Sequence, residues 1–369
     1  MKICWFTENY PPDKGGMSRS CDRIVHNLRI HHEVHVFHFT NRIRAFTHHA
    51  EINGTYTALP LHHDTAHTLN ILWVHIKENL IIKASTLFVS FGSHLCLKGV
   101  PMVASWLHKP YVLCLRGNDF DTAIFSQKRN DLLHAIENAA AIACVTKEKV
   151  DRIVAMELSE KVFFTPNSIK LNEWQALESD IVLSNNQKRD LNINGRLVIG
   201  LVGFLKEKKG IDFFIKVMKQ SNFRDQFHIR IIGDIDSFLL AKMRKSNIDF
   251  STVKPTSQTH LISNYMLCDA VAIPSIYDGM PNVLFEAAAL EIPIIAAKAG
   301  GIPDVLNASN SFLFNVLSDP SLSSALISFK NSSRDVLKDK ALILRQHIAT
   351  NFTPQKEINN YLKIIQCID

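Results

Sequence analysis

The fold assignment rests on the stretch PSIYDGMPNVLFEAAALEIPIIAAKAGGIPDV, residues 274–305. It opens as a loop with Asp278, Gly279, Met280 and Pro281. An alanine-rich segment carrying Glu286 follows, then an apolar run led by Pro293, and the stretch closes on Gly300 and Gly301. This order predicts a loop, a helix from Asn282, a strand over residues 294–296 and a glycine turn. The first turn of such a helix, at Asn282, Val283 and Leu284, directs backbone N–H groups and the positive end of the helix dipole back at the loop. That setting suits a phosphate. Glu286 sits about one turn into the helix, and a carboxylate there accepts hydrogen bonds in pairs, as a sugar diol offers them. Taken alone, Glu286 reads first as a surface glutamate on an ordinary buried helix.

Upstream, short apolar runs alternate with helical segments. Residues 197–202 predict a strand that runs into Gly203-Phe204-Leu205-Lys206-Glu207-Lys208-Lys209-Gly210 and a helix over 212–220. Lys209, with Lys206 and Lys208, offers point charges to a diphosphate, and a solvated charged turn is the competing reading. Further strands are expected at 228–233, 270–274 and 294–296. In the first half, strands are expected at 3–7, 34–39, 87–91, 111–115, 140–146 and 162–165. Strands alternating with helices imply parallel sheets, whose ligands bind beyond the carboxyl ends of the strands. Gly15-Gly16, ahead of a helix over 17–28, and Arg116-Gly117-Asn118-Asp119 both fall at such ends. Arg116 reads either as a clamp for a phosphate or an acceptor hydroxyl, or as a salt-bridge partner of Asp119 or Asp121 that orders the loop.

The 369 residues suit two domains, and 46% hydrophobic with 21% charged residues is ordinary for a soluble globular chain. A polar stretch over 178–194 reads as the interdomain linker. The expected division is therefore 1–180, 195–350 and a terminal helix over 351–369 started by Thr353-Pro354. A net charge of +6 is compatible with phosphorylated ligands and too weak to indicate nucleic acid. The seven scattered cysteines form no CxxC pair, which argues for reduced thiols. Seventeen histidines include three adjacent pairs but no metal-ligand spacing, so no metal site is expected. No run reaches the roughly 20 apolar residues that span a bilayer, and a cytoplasmic location is expected. Arg19, Arg23, Arg29, Arg42 and Arg44 leave two readings open, a solvated face or peripheral contact with the inner face of a membrane. Neither half carries the GxGxxG dinucleotide fingerprint, which ranks a nicotinamide oxidoreductase last.

With these residues laid out, the chain resembles the retaining glycosyltransferases of the GT-B fold, specifically glycosyltransferase family 4. The resemblance runs from Glu8-Asn9-Tyr10-Pro11-Pro12 with Gly15-Gly16, through Arg116 to Asp119 and Pro166-Asn167, to Gly203, Lys209-Gly210 and residues 274–305. It implies two Rossmann-like domains of doubly wound parallel sheet facing a cleft, with the C-terminal helix packing back on the first. It also implies transfer of a sugar, with retained configuration, from a UDP- or GDP-sugar to a saccharide or lipid-linked saccharide in cell-surface glycan synthesis. The nucleotide sugar is a co-substrate, and no cofactor or metal is implied. By resemblance, Glu286 holds the donor ribose, Asp278 contacts the donor sugar, and Lys209 with the backbone at 282–284 neutralises the diphosphate. Gly15 and Gly16 approach the donor phosphate or the acceptor, while Arg116, Asn118 and Asp119 lie on the acceptor side. The family usually has Glu at 278, Arg at 204, His at 116 and Gly at 291, where this chain has Asp278, Phe204, Arg116 and Glu291. Those departures keep two alternatives in play, a catalytically silent nucleotide-sugar-binding partner of another transferase and a nucleotide-sugar epimerase of the same fold.

Overall fold

A computed structural model describes residues 1–191, 193 and 195–368, with all their side chains except those of Asn118, Ser221 and Asn222. The chain forms two compact units. Unit 1 comprises Met1–Asn167 and the segment from Pro354 onward; unit 2 is Ser168–Thr353.

Unit 1 holds an eight-stranded sheet of β1 (Lys2–Thr7), β2 (Glu33–Thr40), β3 (Thr47–Glu51), β4 (Gly54–Pro60), β5 (Leu87–Phe91), β6 (Tyr111–Leu115), β7 (Ala141–Cys144) and β8 (Val162–Phe164). Their order is β3-β4-β2-β1-β5-β6-β7-β8. All neighbours pair parallel except β3, which runs antiparallel to β4. Strands covered on both faces need apolar residues on both, which is why β1, β5 and β6 read as nearly continuous hydrophobic runs. In β1, Cys4 and Phe6 enter one core layer and Ile3 and Trp5 the other, as the two-residue period of a strand requires.

The terminal helix Pro354–Gln366 completes the second of these layers. Ile358, Tyr361, Ile364 and Ile365 pack among Trp5, Val36 and Val89. Beside them, Arg23 donates both Nε and Nη2 to the buried Glu357 carboxylate, each at 2.8 Å. Three of the five arginines read as a solvated or membrane-facing group are committed within the unit. Arg23 pairs with Glu357, Arg29 pairs with Glu51 and donates to the Val34 and Thr55 carbonyls, and Arg42 pairs with Asp13.

Unit 2 holds a six-stranded, wholly parallel sheet of β9 (Leu197–Leu205), β10 (Phe227–Ile235), β11 (Phe250–Val253), β12 (Ala270–Ile273), β13 (Ile294–Ala297) and β14 (Phe312–Phe314), in the order β11-β10-β9-β12-β13-β14. This is the dinucleotide-fold order, reversing direction between β9 and β12. The expected linker at 178–194 is corrected here. Glu178–Asp190 is a 13-residue helix of unit 2, with the Asp180 carboxylate accepting the Leu177 N–H at 2.9 Å. Its sparse apolar pattern hid it. Asn192 and Asn194 lie outside the described residues. The chain passes between units at 167/168 and 353/354, which moves the domain boundaries from 180, 195 and 350.

All seven cysteines are free, and six of them are buried. Among the described residues, no helix is long and apolar enough to cross a membrane. Burial pushes His35, His38, His75 and His94, all in unit 1, below their ordinary value of 6.5. The unfolded chain therefore binds more protons than the folded one once pH drops below about 6.5. Stability contributed by these groups is full above that value and declines as pH falls from 6.5 through the folded pKa values. A melting temperature for unit 1 that falls on acidification from pH 7.5 to 5.5 is the expected reading; an unchanged one would contradict it.

Candidate functional site

In unit 2, three loops meet at the carboxyl ends of β9, β12 and β13. The Ile276 N–H donates to the Lys208 carbonyl at 2.9 Å, and the Gly301 N–H to the Gly279 carbonyl at 2.8 Å. Two glycines permit this approach. A Cβ on Gly210 would stand 1.9 Å from the Pro274 carbonyl oxygen, and one on Gly300 would stand 1.7 Å from that of Asp278. Both also have positive φ, +67° and +52°, so any side chain there is excluded twice over.

Into this junction project the residues singled out in the sequence. Lys209, from the turn after β9, forms an ion pair with Asp278, from the loop after β12, and Ser275 Oγ donates to the same carboxylate oxygen at 3.2 Å. The helix Asn282–Ala289 starts here, with Pro281 at its cap supplying no side-chain acceptor. Glu286 lies in that helix and is only 5% exposed, so it is not the surface glutamate that its isolated reading favoured. Its Oε2 accepts the Tyr265 hydroxyl at 2.6 Å, and Tyr265 is in turn fully buried against Trp174. Met280 and Leu284 are buried beside it, and Val283 lines a narrow crevice with Leu201, Lys209, Ile273 and Ser275. This crevice lies between β9 and β12, where the strand order reverses, the usual place for a ligand in an open parallel sheet. Gly203, within β9, has φ +103° and open space where a side chain would stand. Lys206 does not join the group; its ammonium lies 4.3 Å above the ring of Phe204.

A larger hollow, of about 640 Å³, lies against the helix Ile211–Met218 and takes in Lys216, Lys219, Lys242 and Lys245. It contains none of Lys209, Asp278 and Glu286, and two of its lysines are paired with Asp319 and Asp212 at 2.7 Å.

In unit 1, Gly15 and Gly16 lead into the helix Gly16–Leu28, and Gly15 has open space where a side chain would be. The loop before them is held by Asp13, which pairs with Arg42 and receives His38 Nε2 at 3.1 Å. Since the carboxylate only accepts, the neutral His38 carries its proton on Nε2 and takes the Tyr56 hydroxyl on Nδ1, at 2.9 Å. Sequence reasoning passed over this Tyr56, His38 and Asp13 chain. The position of Asp13 two residues before the paired glycines was the available signal.

Arg116 sits elsewhere than either expectation placed it. It is 5% exposed, and Nη1 donates to the Thr165 carbonyl at 2.9 Å and to the Tyr361 hydroxyl at 3.2 Å. Nη2 donates to Asn167 Oδ1, and the guanidinium lies over Phe91. The expected salt bridges do not form. Asp119 instead accepts the backbone N–H groups of Arg116, Gly117 and Phe120 at 2.6, 2.8 and 3.1 Å, while Asp121 pairs with the buried Lys149 at 2.8 Å. Burial raises the Asp119 carboxyl above its ordinary value, against the pull of Lys149 and the backbone donors. The side chain of Asn118 lies outside the described residues. Arg116→Ala is expected to destabilise the chain by about 3 kcal/mol, from lost charged hydrogen bonds and stranded acceptors. Denaturant unfolding measures this, and a cost within about 0.5 kcal/mol would remove the guanidinium from the structural frame.

Residues 196–331, which carry Lys209, Asp278 and Glu286, match the family model described as "Glycosyl transferases group 1". That segment of unit 2 is thus similar to a group 1 glycosyltransferase domain, and the two parallel-sheet units have GT-B-like structural neighbours. The chain is 24% identical over 230 residues to the putative teichuronic acid biosynthesis glycosyltransferase TuaC of Bacillus subtilis, covering 60% of this chain and 55% of that one. It is 27% identical over 150 residues to the alpha-galactosylglucosyldiacylglycerol synthase of Streptococcus pneumoniae, covering 39% and 40%. The chain thus spans about half the length of these relatives. Among solved structures, Anabaena Alr3699/HepE in complex with UDP superposes with a TM-score of 0.77 at 15% identity, covering 99% of this chain and 100% of that one. Sucrose-phosphate synthase of Thermosynechococcus elongatus gives 0.78 at 14% identity, covering 99% and 98%.

Proposed function

We infer that the chain is a retaining glycosyltransferase that takes a sugar from a UDP- or GDP-sugar and passes it to a saccharide or lipid-linked saccharide in cell-surface glycan synthesis. The observation that carries this reading is the convergence of Lys209, Asp278 and the start of the 282–289 helix on one crevice, with Glu286 held one turn behind it. Departure of a nucleoside diphosphate builds negative charge on its phosphates. A fixed ammonium and the N–H groups at a helix start are the groups that stabilise such charge. In this reading, Lys209 exchanges its Asp278 contact for the diphosphate, which releases the carboxylate to the donor sugar hydroxyls. The Tyr265 hydroxyl fixes the Glu286 carboxylate for the ribose. No metal or cofactor is assigned a part. The bound nucleotide in the HepE structures and the glycan and glycolipid names of the relatives support the donor and product classes.

A thermal-shift screen of nucleotide sugars, followed by mass analysis of products from the stabilising donor, tests this. A shift with a UDP- or GDP-sugar and transfer to an added saccharide or lipid acceptor is expected, and no response to any donor would end the proposal. One observation favours the silent binding partner as a second reading. Phe204 stands where the family usually has Arg, is 54% exposed, and draws Lys206 onto its ring. Binding without turnover would select that reading; any release of free nucleotide would exclude it.

A further inference from the structure

The helices Thr65–Glu78 and His94–Leu107 lie side by side on unit 1, and their outer flank is unusual for a protein surface. Trp73 stacks on Trp106 with ring centres 3.7 Å apart and planes 16° apart. The pair is outward-facing: Trp106 is 36% exposed, Met102 38%, Val74 61%, and Leu80, at the start of the short helix Leu80–Ala84, 77%. Steps of three and four residues place half-buried Trp73 with exposed Val74 and Lys77 on one stripe, and exposed Lys98, Met102 and Trp106 on its neighbour. Between residues 65 and 110 the sequence holds four lysines, Lys77, Lys83, Lys98 and Lys109, against one carboxylate, Glu78. Among the described residues, neither indole N–H has a protein acceptor, and of the four ammonium groups only that of Lys83 has one, the Lys77 carbonyl at 2.5 Å.

Stacked indoles with outward polar edges, aliphatic neighbours and a lysine frame are the groups that settle at the boundary between lipid headgroups and acyl chains. We propose that this flank docks unit 1 onto an anionic lipid bilayer, with Trp73 and Trp106 at the headgroup boundary and the lysines on lipid phosphates. A second copy of the chain fits it poorly, because a two-fold contact would set the four lysines against their own counterparts. The surface differs from the arginine group singled out in the sequence, most of which is spent on internal carboxylates. Docking does not depend on the transfer reaction, and either can fail without the other.

Flotation of the full chain with vesicles tests it. The chain is expected to float with phosphatidylcholine vesicles containing phosphatidylglycerol and to stay behind with phosphatidylcholine alone. Of the four tryptophans, Trp5 and Trp174 are 0% and 8% exposed, so a blue shift of emission on adding vesicles reports Trp73 and Trp106. The pair Lys77→Glu and Lys98→Glu, both exposed, is expected to weaken binding roughly tenfold or more without touching the core. Trp73→Ser with Trp106→Ser is expected to abolish the shift and the flotation. The proposal is overturned if the chain ignores the anionic vesicles, if the charge-reversed variant floats like the wild type, or if the chain elutes as a dimer with its emission already blue.

Discussion

Glu286→Ala is expected to lower kcat/KM for the nucleotide-sugar donor by roughly 10²-fold, most of it through KM. Two charge-assisted hydrogen bonds to a ribose diol contribute about 3 kcal/mol together, and about 1.4 kcal/mol corresponds to a factor of ten. The same substitution removes the carboxylate that accepts the Tyr265 hydroxyl at 2.6 Å, so a stability loss of about 1–3 kcal/mol should accompany it. Tyr265→Phe separates the two effects. It leaves the carboxylate in place and removes only its orientation, so a smaller loss of activity is expected. Steady-state kinetics over donor concentration decide the matter, and a Glu286→Ala enzyme with wild-type kcat/KM would remove Glu286 from the donor site.

Lys209→Ala is expected to act on kcat instead. The ammonium, from the turn after β9, is paired with the Asp278 carboxylate. A preorganised donor aimed at developing charge is worth roughly 10²–10³ in rate. Removing it also leaves the Asp278 carboxylate, whose side chain is 14% exposed, without its cation. Lys209→Arg restores charge without the compact ammonium and should recover only part of the rate. Equal kcat in wild type and Lys209→Ala, with donor binding unchanged, would show that the leaving diphosphate is stabilised by other groups.

The fold was legible wherever burial on both faces forces apolar runs, as in β1, β5, β6 and β12. It was not legible in β3, whose Thr-His-His-Ala-Glu lies on an exposed edge with no apolar run, although His48 bonds Thr57 and His49 packs on Tyr56 across to β4. The short strands β11 and β14, four and three residues long, were also missed because they are too brief to show a period. At the site, residues 274–305 announced themselves because glycine, proline and a helix start lie within a few positions of one another. Arg116 could not be read in the same way. Its partner Tyr361 is 245 residues away, and only the docking of the terminal helix reveals that the guanidinium fills an internal hole. Lys206 failed for a local reason, since nothing in a run of lysines tells which one the adjacent Phe204 will draw aside.

Because unit 1 takes in both ends of the described chain, its two halves are separated in synthesis by the whole of unit 2. The usual order, in which the first domain to leave the ribosome is the first to finish folding, is therefore reversed for completion. Unit 2 is one uninterrupted stretch from Ser168 to Thr353 and can close on itself while unit 1 still lacks Glu357 for Arg23 and Tyr361 for Arg116. The sheet of unit 1 must wait as a nascent intermediate, with the apolar faces of Trp5 and Val89 uncovered, until Ile358, Ile364 and Ile365 have been made. The terminal helix thus acts as a late seal, and the exposure of aggregation-prone surface during synthesis is set by how long it takes to arrive.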